Sequence, residues 1–536
     1  MVRRTSRPLT LTATVAGAGI VQLPTAAVVV ALPQIHAEFG TSIAELQWTV
    51  TAFMIPFSAF LITAGRLADI FGRRRLMLAG CLLFGTGSVI AAAAPGIVAL
   101  IAGIALAGSG GALIMPASMS ILTNVFTGEK RGTAIGMWGA ATELVSGIGV
   151  LIGGVLTGAL DWRWIFVVCA LFAIAIAVMI WRGSPESRDE EASRDVDLLG
   201  VGLSVTALTA LTLALIQGAS WGWGSPAIVA LLAAAAVGAV AFVAVERRSA
   251  NPIINFAFFA RRNFAGSTIV IFALDFSFGA LLFFLPLYFQ EILGYSPTEV
   301  GVLLLPLTGL MVIGSPAGGK VAGRIGPLVP IVVGLAVMAA SVWAISGLSV
   351  DSDYADLWLP TATMGLGLGF ALTPMNLAAM NAVHREHAGA ASGMLVTLSG
   401  LGATLGVAVT GAIFNSLNTE KTTETVGAAL GKPISDAEAE SLDGALAGAA
   451  GATRELKQLA GGNVAEVEQA LREAFVEALG ESLKLSALLI VVALLLTLLL
   501  IRKQEPLDAV LPSELPPVGG APTPRPAPRL RAADPS

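Results

Sequence analysis

The chain has 536 residues, 55% hydrophobic and only 12% charged, with a net charge of −5 and a mean hydropathy of +0.81. Soluble domains carry about 25% charged residues, and here the 31 Lys and Arg and 36 Asp and Glu are bunched between long apolar runs. That balance excludes a soluble enzyme and a disordered chain. The Leu, Ala, Val and Gly runs are continuous rather than alternating, which also excludes an outer-membrane barrel. What remains is an all-α polytopic membrane protein.

At about 20 apolar residues per crossing, spans are expected at 10–33, 48–65, 76–93, 97–116, 132–158, 163–181, 198–217 and 226–245. A second set is expected at 264–289, 299–318, 328–347, 358–379, 389–416 and 483–501. Residues 1–9 form a short basic tail with Arg3, Arg4 and Arg7. Its arginines, the following apolar run and Ala16-Gly17-Ala18 imitate a cleavable leader. The apolar run continues to Pro33, however, so it reads as the first of fourteen spans.

Positive charge orients them. Alternate connections carry Arg73, Arg74 and Arg75; Lys130 and Arg131; Arg182; Arg247, Arg248, Arg261 and Arg262; Lys320 and Arg324; Arg385; and Arg502 with Lys503. The opposite connections at 34–47, 94–96, 218–225, 290–298 and 348–357 contain neither Lys nor Arg. Arg163, between Trp162 and Trp164, is the exception and reads as an interfacial anchor. Both termini are therefore expected in the cytoplasm, with the chain in the cell membrane.

Residues 418–481 are rich in Ala, Glu and Gly and fall on the outer side by this count. Val464, Val467, Leu471, Phe475 and Leu479 recur there at helical spacing, so an extracytoplasmic helical insertion is expected. The Pro-rich tail 504–536 lacks the apolar content to fold. Cys81 and Cys169 lie inside apolar runs, so no disulfide framework is readable. His36, His384 and His387 form no Cys/His cluster, and no phosphate-binding G-x-x-x-x-G-K-[ST] loop occurs. The sequence thus calls for no metal, cofactor, ATP site or nucleic acid.

Gly65-Arg66-Leu67-Ala68-Asp69-Ile70-Phe71-Gly72-Arg73-Arg74-Arg75 follows the second span. It is echoed by Gly319-Lys320-Val321-Ala322-Gly323-Arg324-Ile325-Gly326, which suggests two homologous halves. The first copy resembles the signature of the major facilitator superfamily, G-x-L-a-D-x-x-G-R-[RK], between its second and third helices. Val30-Ala31-Leu32-Pro33, Gln47-Trp48, Trp162-Arg163-Trp164-Ile165-Phe166, Gly365-Leu366-Gly367-Leu368-Gly369 and Ala388-Gly389-Ala390-Ala391-Ser392-Gly393 resemble its fourteen-helix drug:proton antiporter branch. The similarity covers about 20–416 and the last span.

The resemblance implies a major facilitator fold of two six-helix bundles plus two inserted helices. The N-terminal bundle is expected at 10–182, the inserted pair at 183–262, the first five helices of the C-terminal bundle at 263–417, and the last helix at 482–503. It further implies that Gly65, Asp69, Gly72 and Arg73 latch the halves on the cytoplasmic side in the outward-open state. Asp69 is suited to accept from a helix start and Arg73 to pair with it. Gly323 replaces Asp69 in the second copy, which weakens any latch there.

Three family residues are missing. Pro24 stands where an acid is usual in the first helix and should kink it, and Ile104 where an arginine is usual in the fourth. The fifth helix reads Gly149-Val150-Leu151-Ile152-Gly153-Gly154 without the usual proline, though Gly149, Gly153 and Gly154 still permit close packing.

Two acids lie deep in the spans instead. Glu143 is about 18 Å along its helix from Arg131, and Asp275 about 20 Å from Arg262, at 1.5 Å per residue. Each costs about 2.5–3.5 kcal/mol to insert, which makes it a functional candidate. They are expected to exchange protons or face a cationic substrate; the plainer alternative is a neutral acid bonded to Thr142, Ser146 or Ser277. Gln22, Asn124, Asn376, Phe272 and Phe276 are candidates to line the cavity. The expected function is export of small amphipathic or lipophilic compounds by proton-coupled alternating access, with small molecules, protons and the lipid bilayer as partners. A dedicated exporter of one metabolite or lipid, or a non-transporting sensor or scaffold, are the alternatives; the oligomeric state is not readable.

Overall fold

Every apolar stretch folds as a helix, the one open-ended element that pairs its backbone groups within a single segment. The computed structural model describes residues 6–126, 129–187, 198–248, 256–383, 388–442, 444–446, 450–461 and 463–502. The tail 504–536 and His384 and His387 lie outside them, as do the side chains of Asp69 and Glu143 and the burial of Gly65.

The first half comprises α1 (Arg7–Phe39), α2 (Ile43–Phe71), α3 (Arg73–Ala92), α4 (Ile97–Val125), α5 (Glu129–Ala159) and α6 (Arg163–Gly183). Two inserted helices follow, α7 (Leu198–Trp221) and α8 (Pro226–Glu246). The second half opens with α9 (Arg262–Leu287), which continues into a π-turn at Tyr288–Ile292. Next come α10 (Pro297–Leu303) and α11 (Leu305–Ile325), one span broken at Leu304, then α12 (Leu328–Ile345), α13 (Tyr354–Asn381) and α14 (Ala388–Leu430). The short α15 (Asp436–Ser441) and α16 (Ala450–Ala460) lead to α17 (Val464–Leu500). Among the described residues, 10 helices are long and apolar enough to cross a membrane; α2, α5, α7 and α13 complete the expected fourteen. Among the described residues there is no strand.

The two halves repeat one packing scheme. In the first, α1 packs on α5, α2 and α3 on α4, and α3 on α6; in the second, α9 packs on α14, α11 and α12 on α13, and α12 on α17. The repeated loop motif fits the same symmetry. Gly72 ends α2 with φ +103° and Gly326 ends α11 with φ +91°, and their N–H groups donate to Ala68 and Ala322 respectively. That left-handed backbone favours glycine. The seam between the halves is likewise paired, α2 against α14 and α5 against α10 and α11. Of the inserted pair, α7 lies against both α2 and α14, with Ile216 packed beside Trp48 and Ala408. The other, α8, packs on α7 and is otherwise largely exposed.

The first and last described residues lie beside basic connections of their own halves. Ser6 donates to Gly183, Arg73 to Ser187, and Arg502 to the Asn263 side chain. Arg163 lies at the opposite end, where a fork of two hydrogen bonds, 2.9 and 2.6 Å, ties it to Glu38. Its guanidinium also stacks 4.3 Å from the Trp162 ring. The cation is therefore neutralised where it stands, which is why it does not upset the charge asymmetry of the loops.

Two features differ in detail from the expected elements, while α1 runs from Arg7 to Phe39 with Pro24 and Pro33 inside it. At 43 residues, α14 overruns its apolar stretch. The amphipathic stretch from Val464 merges with the last span as the 37-residue α17. Val467, Leu471, Phe475 and Leu479 are all buried, the first two in a small separate core with Val426, Ile434 and Leu456. Beside that core, Ser435 caps α15, and its N–H and hydroxyl hold the Glu438 carboxylate below its ordinary range.

Candidate functional site

The seam decides what the two halves can do, and its closed end is built from small residues. Gly149 and Gly153 let α5 lie directly on α1: a Cβ at Gly149 would stand 2.8 Å from that of Ala26, and one at Gly153 would stand 2.5 Å from the Ala27 carbonyl oxygen. Gly154 faces the other way, across the seam, where a Cβ would stand 2.5 Å from the Pro297 carbonyl oxygen. The Thr298 hydroxyl crosses to donate to the Gly154 carbonyl at 3.0 Å. Gln290 donates to the Val30 carbonyl at 2.9 Å, and His36 meets Glu291 at 3.4 Å. These side-chain bonds join the halves where α1, α5 and α9 end and α10 begins, and they seal that end.

Deeper in the bundle, Glu143 and Asp275 occupy α5 and α9, one in each half. Near Glu143, α5 touches α1 where a Cβ at Gly19 would stand 2.9 Å from Val145 and 3.5 Å from the Ala141 carbonyl. Thr142 donates to the Trp138 carbonyl within its own helix. Asp275 is partly buried. It stands at the edge of the α9 stripe that meets α14, where Gly402 and Gly406 lie against the backbone of Phe272 and Phe276. Ser277, its nearest hydroxyl in sequence, is turned to α17 and donates to the Ser486 carbonyl at 3.3 Å.

Phe276 is buried, Phe272 partly so, with ring centroids 6.1 Å apart. Gln22 on α1 and Asn376 on α13 are also partly buried. The Asn376 amide donates to Leu372, one turn back in the same helix. Asn124 is placed differently: it is exposed at the basic end, where it donates to Ser187 and lines a recess with Arg7 and Pro185. The two positions where the family's charges are missing are buried, Pro24 in α1 and Ile104 in α4.

At the basic end, the loop between α2 and α3 is held within its own half. The Glu186 carboxylate accepts the Arg74 N–H at 3.1 Å and lies 3.7 Å from the Arg75 side chain. It also fills the place a Gly72 side chain would take. The Arg74 guanidinium donates to the Trp181 carbonyl at 2.7 Å. Glu186 thus serves the start of α3, where the helix dipole favours an anion.

Sequence reading missed Glu186, Gln290 and Glu291. Glu186 stands in a charged stretch that reads as solvated loop, and nothing in the sequence marks it. Gln290 and Glu291 close a span, where polar residues ordinarily signal its end. Only the meeting with α1, more than 250 residues away in sequence, gives them a role.

Comparison with known proteins agrees with this architecture. Residues 14–407 match the family model described as Major Facilitator Superfamily. The tetracenomycin C resistance and export protein of Streptomyces glaucescens is 30% identical over 507 residues, covering 95% of this chain and 94% of that protein. The multidrug resistance protein Stp of Mycobacterium tuberculosis is 34% identical over 409 residues, 76% of this chain and 75% of that one. Among solved structures, a bacterial homolog to the human lysosomal transporter Spinster, in an inward-facing and unoccupied conformation, shares the fold. Its TM-score is 0.66 at 17% identity, covering 92% of this chain and 96% of that one.

Proposed function

The chain belongs to the major facilitator superfamily, a multi-pass membrane protein and not an enzyme, and from that premise we propose that it exports small amphipathic or lipophilic compounds by proton-coupled alternating access. Drugs and antibiotics are the substrate class, as the names of the matched relatives indicate for those proteins. The observation that carries the reading is the seam between the halves. Two halves of matching design are joined by side-chain bonds at one end, which is what one state of an alternating-access cycle requires.

The basic end is the cytoplasmic one by the positive-inside rule, so the protein sits in the cell membrane with both termini inside. The sealed end then faces out, and α14 to α17 carry their small separate core on that outer side. Glu143 and Asp275 are the proton carriers, titratable groups placed on α5 and α9, one in each half. Gln22, Asn376, Phe272 and Phe276 line the substrate path, and Gly65, Asp69, Gly72 and Arg73 brace the inner side when it closes.

One observation favours a second reading. Pro24 and Ile104 put apolar groups where the family's usual acid and arginine stand, which suits a dedicated exporter of one compound with altered coupling. Substrate-induced proton release from proteoliposomes separates the readings. Many compounds give a response in the first case and one compound in the second. No response to any of a broad panel would refute both.

A further inference from the structure

Arg261 is the residue just before α9, next to a turn of 3-10 helix at Phe256–Ala260. It is only 7% exposed, and its Nη2 nitrogen is buried with no hydrogen-bond partner. The charges placed beside it are cations. Arg262 follows it in the chain, and Asn263 brings in Arg502 from the end of α17. The Asn263 side-chain oxygen accepts the Arg502 N–H at 2.8 Å, and its amide donates to the Arg502 carbonyl at 3.4 Å. Arg262 and Arg502 are both exposed. Among the described residues, no acid forms an ion pair with any of these three guanidiniums.

Local packing holds this corner in place. Phe258 and Phe259 set their rings against Phe264, with centroids 5.5 and 5.9 Å away. Gly266, one turn into α9, lets the end of α17 come close: a Cβ there would stand 2.6 Å from Ile501 Cγ1. The start of α9 has no side-chain cap, so its first N–H groups and its dipole add to the positive field.

An arginine at the surface needs no partner, because water solvates it. A guanidinium taken out of water costs several kcal/mol, which only an opposite charge with hydrogen-bond acceptors offsets. Arginine cannot avoid that cost by giving up its proton. Its planar fork matches the paired oxygens of a phosphate. Arg261 stands where the span of α9 begins, at the depth of lipid headgroups, and basic pockets at that level take acidic ones. We propose that Arg261 is the centre of a phosphate site filled by the headgroup of an acidic phospholipid, with Arg262 and Arg502 at its rim. The lipid ties the beginning of α9 to the end of α17, the first and last spans of the second half. Inorganic phosphate offers the same oxygens, and the test separates the two sources. The site stands apart from the export reading, since it needs neither a substrate nor a proton gradient.

The test follows thermal unfolding of the delipidated full-length protein in neutral detergent, with phosphatidylglycerol, phosphatidylcholine or inorganic phosphate added. Phosphatidylglycerol at about 100 times its Kd should raise the unfolding temperature by several degrees, and phosphatidylcholine should not. Arg261→Met should lose that shift. Without acidic lipid it should be at least as stable as the parent, because it buries no unpaired charge. Arg261→Lys keeps the charge without the fork and should show a smaller shift. Arg182→Gln, which removes an exposed arginine at the end of α6, should keep the full shift. No response of the parent to phosphatidylglycerol overturns the proposal, as does an equal response to phosphatidylcholine or an undiminished shift in Arg261→Met. Should that variant fail to fold, an undiminished shift in Arg261→Lys overturns it instead. A shift with inorganic phosphate as large as with phosphatidylglycerol, and lost in Arg261→Met, would overturn the lipid as occupant and leave the phosphate site.

Discussion

Gly153 and Gly154 are neighbours in the chain that serve opposite joints: the first seats α5 on Ala27 of α1 inside one half, and the second seats it on Pro297 across the seam. One residue of helix rotation separates a contact within one half from a contact across the seam.

Gly153→Ala should therefore destabilise the first half itself. The added methyl would stand 2.5 Å from the Ala27 carbonyl oxygen and 2.6 Å from its Cα, and backbone cannot swing aside as a flexible side chain does. Overpacking of this kind costs about 1–3 kcal/mol, only partly offset by the better helix propensity of Ala. Thermal unfolding in detergent should fall by several degrees. Gly202→Ala, where nothing lies within 4 Å, should leave it unchanged or raise it.

Glu143→Gln and Asp275→Asn should each reduce uncoupler-sensitive dye uptake into inverted vesicles to background while expression stays normal. An amide keeps the shape and the hydrogen-bonding capacity but has no proton to release. If these acids served only to bind helices together, both variants would still transport. Unchanged uptake by the pair would remove the proposed proton path.

Glu186→Ala should lower stability by about 1 kcal/mol, the usual loss when the start of a helix is left without its acceptor. Glu186→Gln retains an oxygen for the Arg74 N–H and should lose less. Arg75→Ala is expected to be nearly silent, because its side chain is 76% exposed and lies 3.7 Å from the carboxylate. Chemical unfolding of the three variants side by side would rank them.

Arg163→Lys should behave as a loss and not as a conservative exchange. A lysine supplies a point charge and cannot give the two parallel bonds that Glu38 receives. A deficit of about 1 kcal/mol is expected, shrinking at high salt because both partners are partly exposed. A salt series of thermal unfolding measures it.

What was legible in the sequence follows the range of the forces involved. Apolar run length acts locally, so the succession of membrane-length helices could be read without coordinates. The repeat was legible through one short motif, since Gly72 and Gly326 must both turn the backbone into the left-handed region. The buried stripe from Val467 to Leu479 was legible as spacing, but its merger with the last span was not, because no proline or glycine pair marks where an amphipathic helix enters lipid. Glu291 and Glu186 were illegible for a different reason. Each acts on a residue brought to it by tertiary packing, and an acid in a loop looks the same whether or not such a partner exists.

Gly154→Val tests the seam directly. In the sealed state the position has the Pro297 carbonyl oxygen at 2.5 Å and the Gly301 Cα at 3.2 Å from a would-be Cβ, so a branched side chain cannot fit without parting α5 from α10. Once parted, the same side chain has room, and nothing within the first half needs to move. The substitution should therefore shift the protein toward the state open at this end, by at least tenfold for a clash costing about 1.4 kcal/mol or more. Thr298→Val, which removes only the hydroxyl that reaches the Gly154 carbonyl, should shift it in the same direction but less. Cysteine labelling at Thr157, which is 1% exposed in the sealed state, would report the opening: fast modification in Gly154→Val and slow modification in the parent is the expected result. Equal rates, with unfolding temperature unchanged, would mean that the α5–α10 contact is not the closure of the seam.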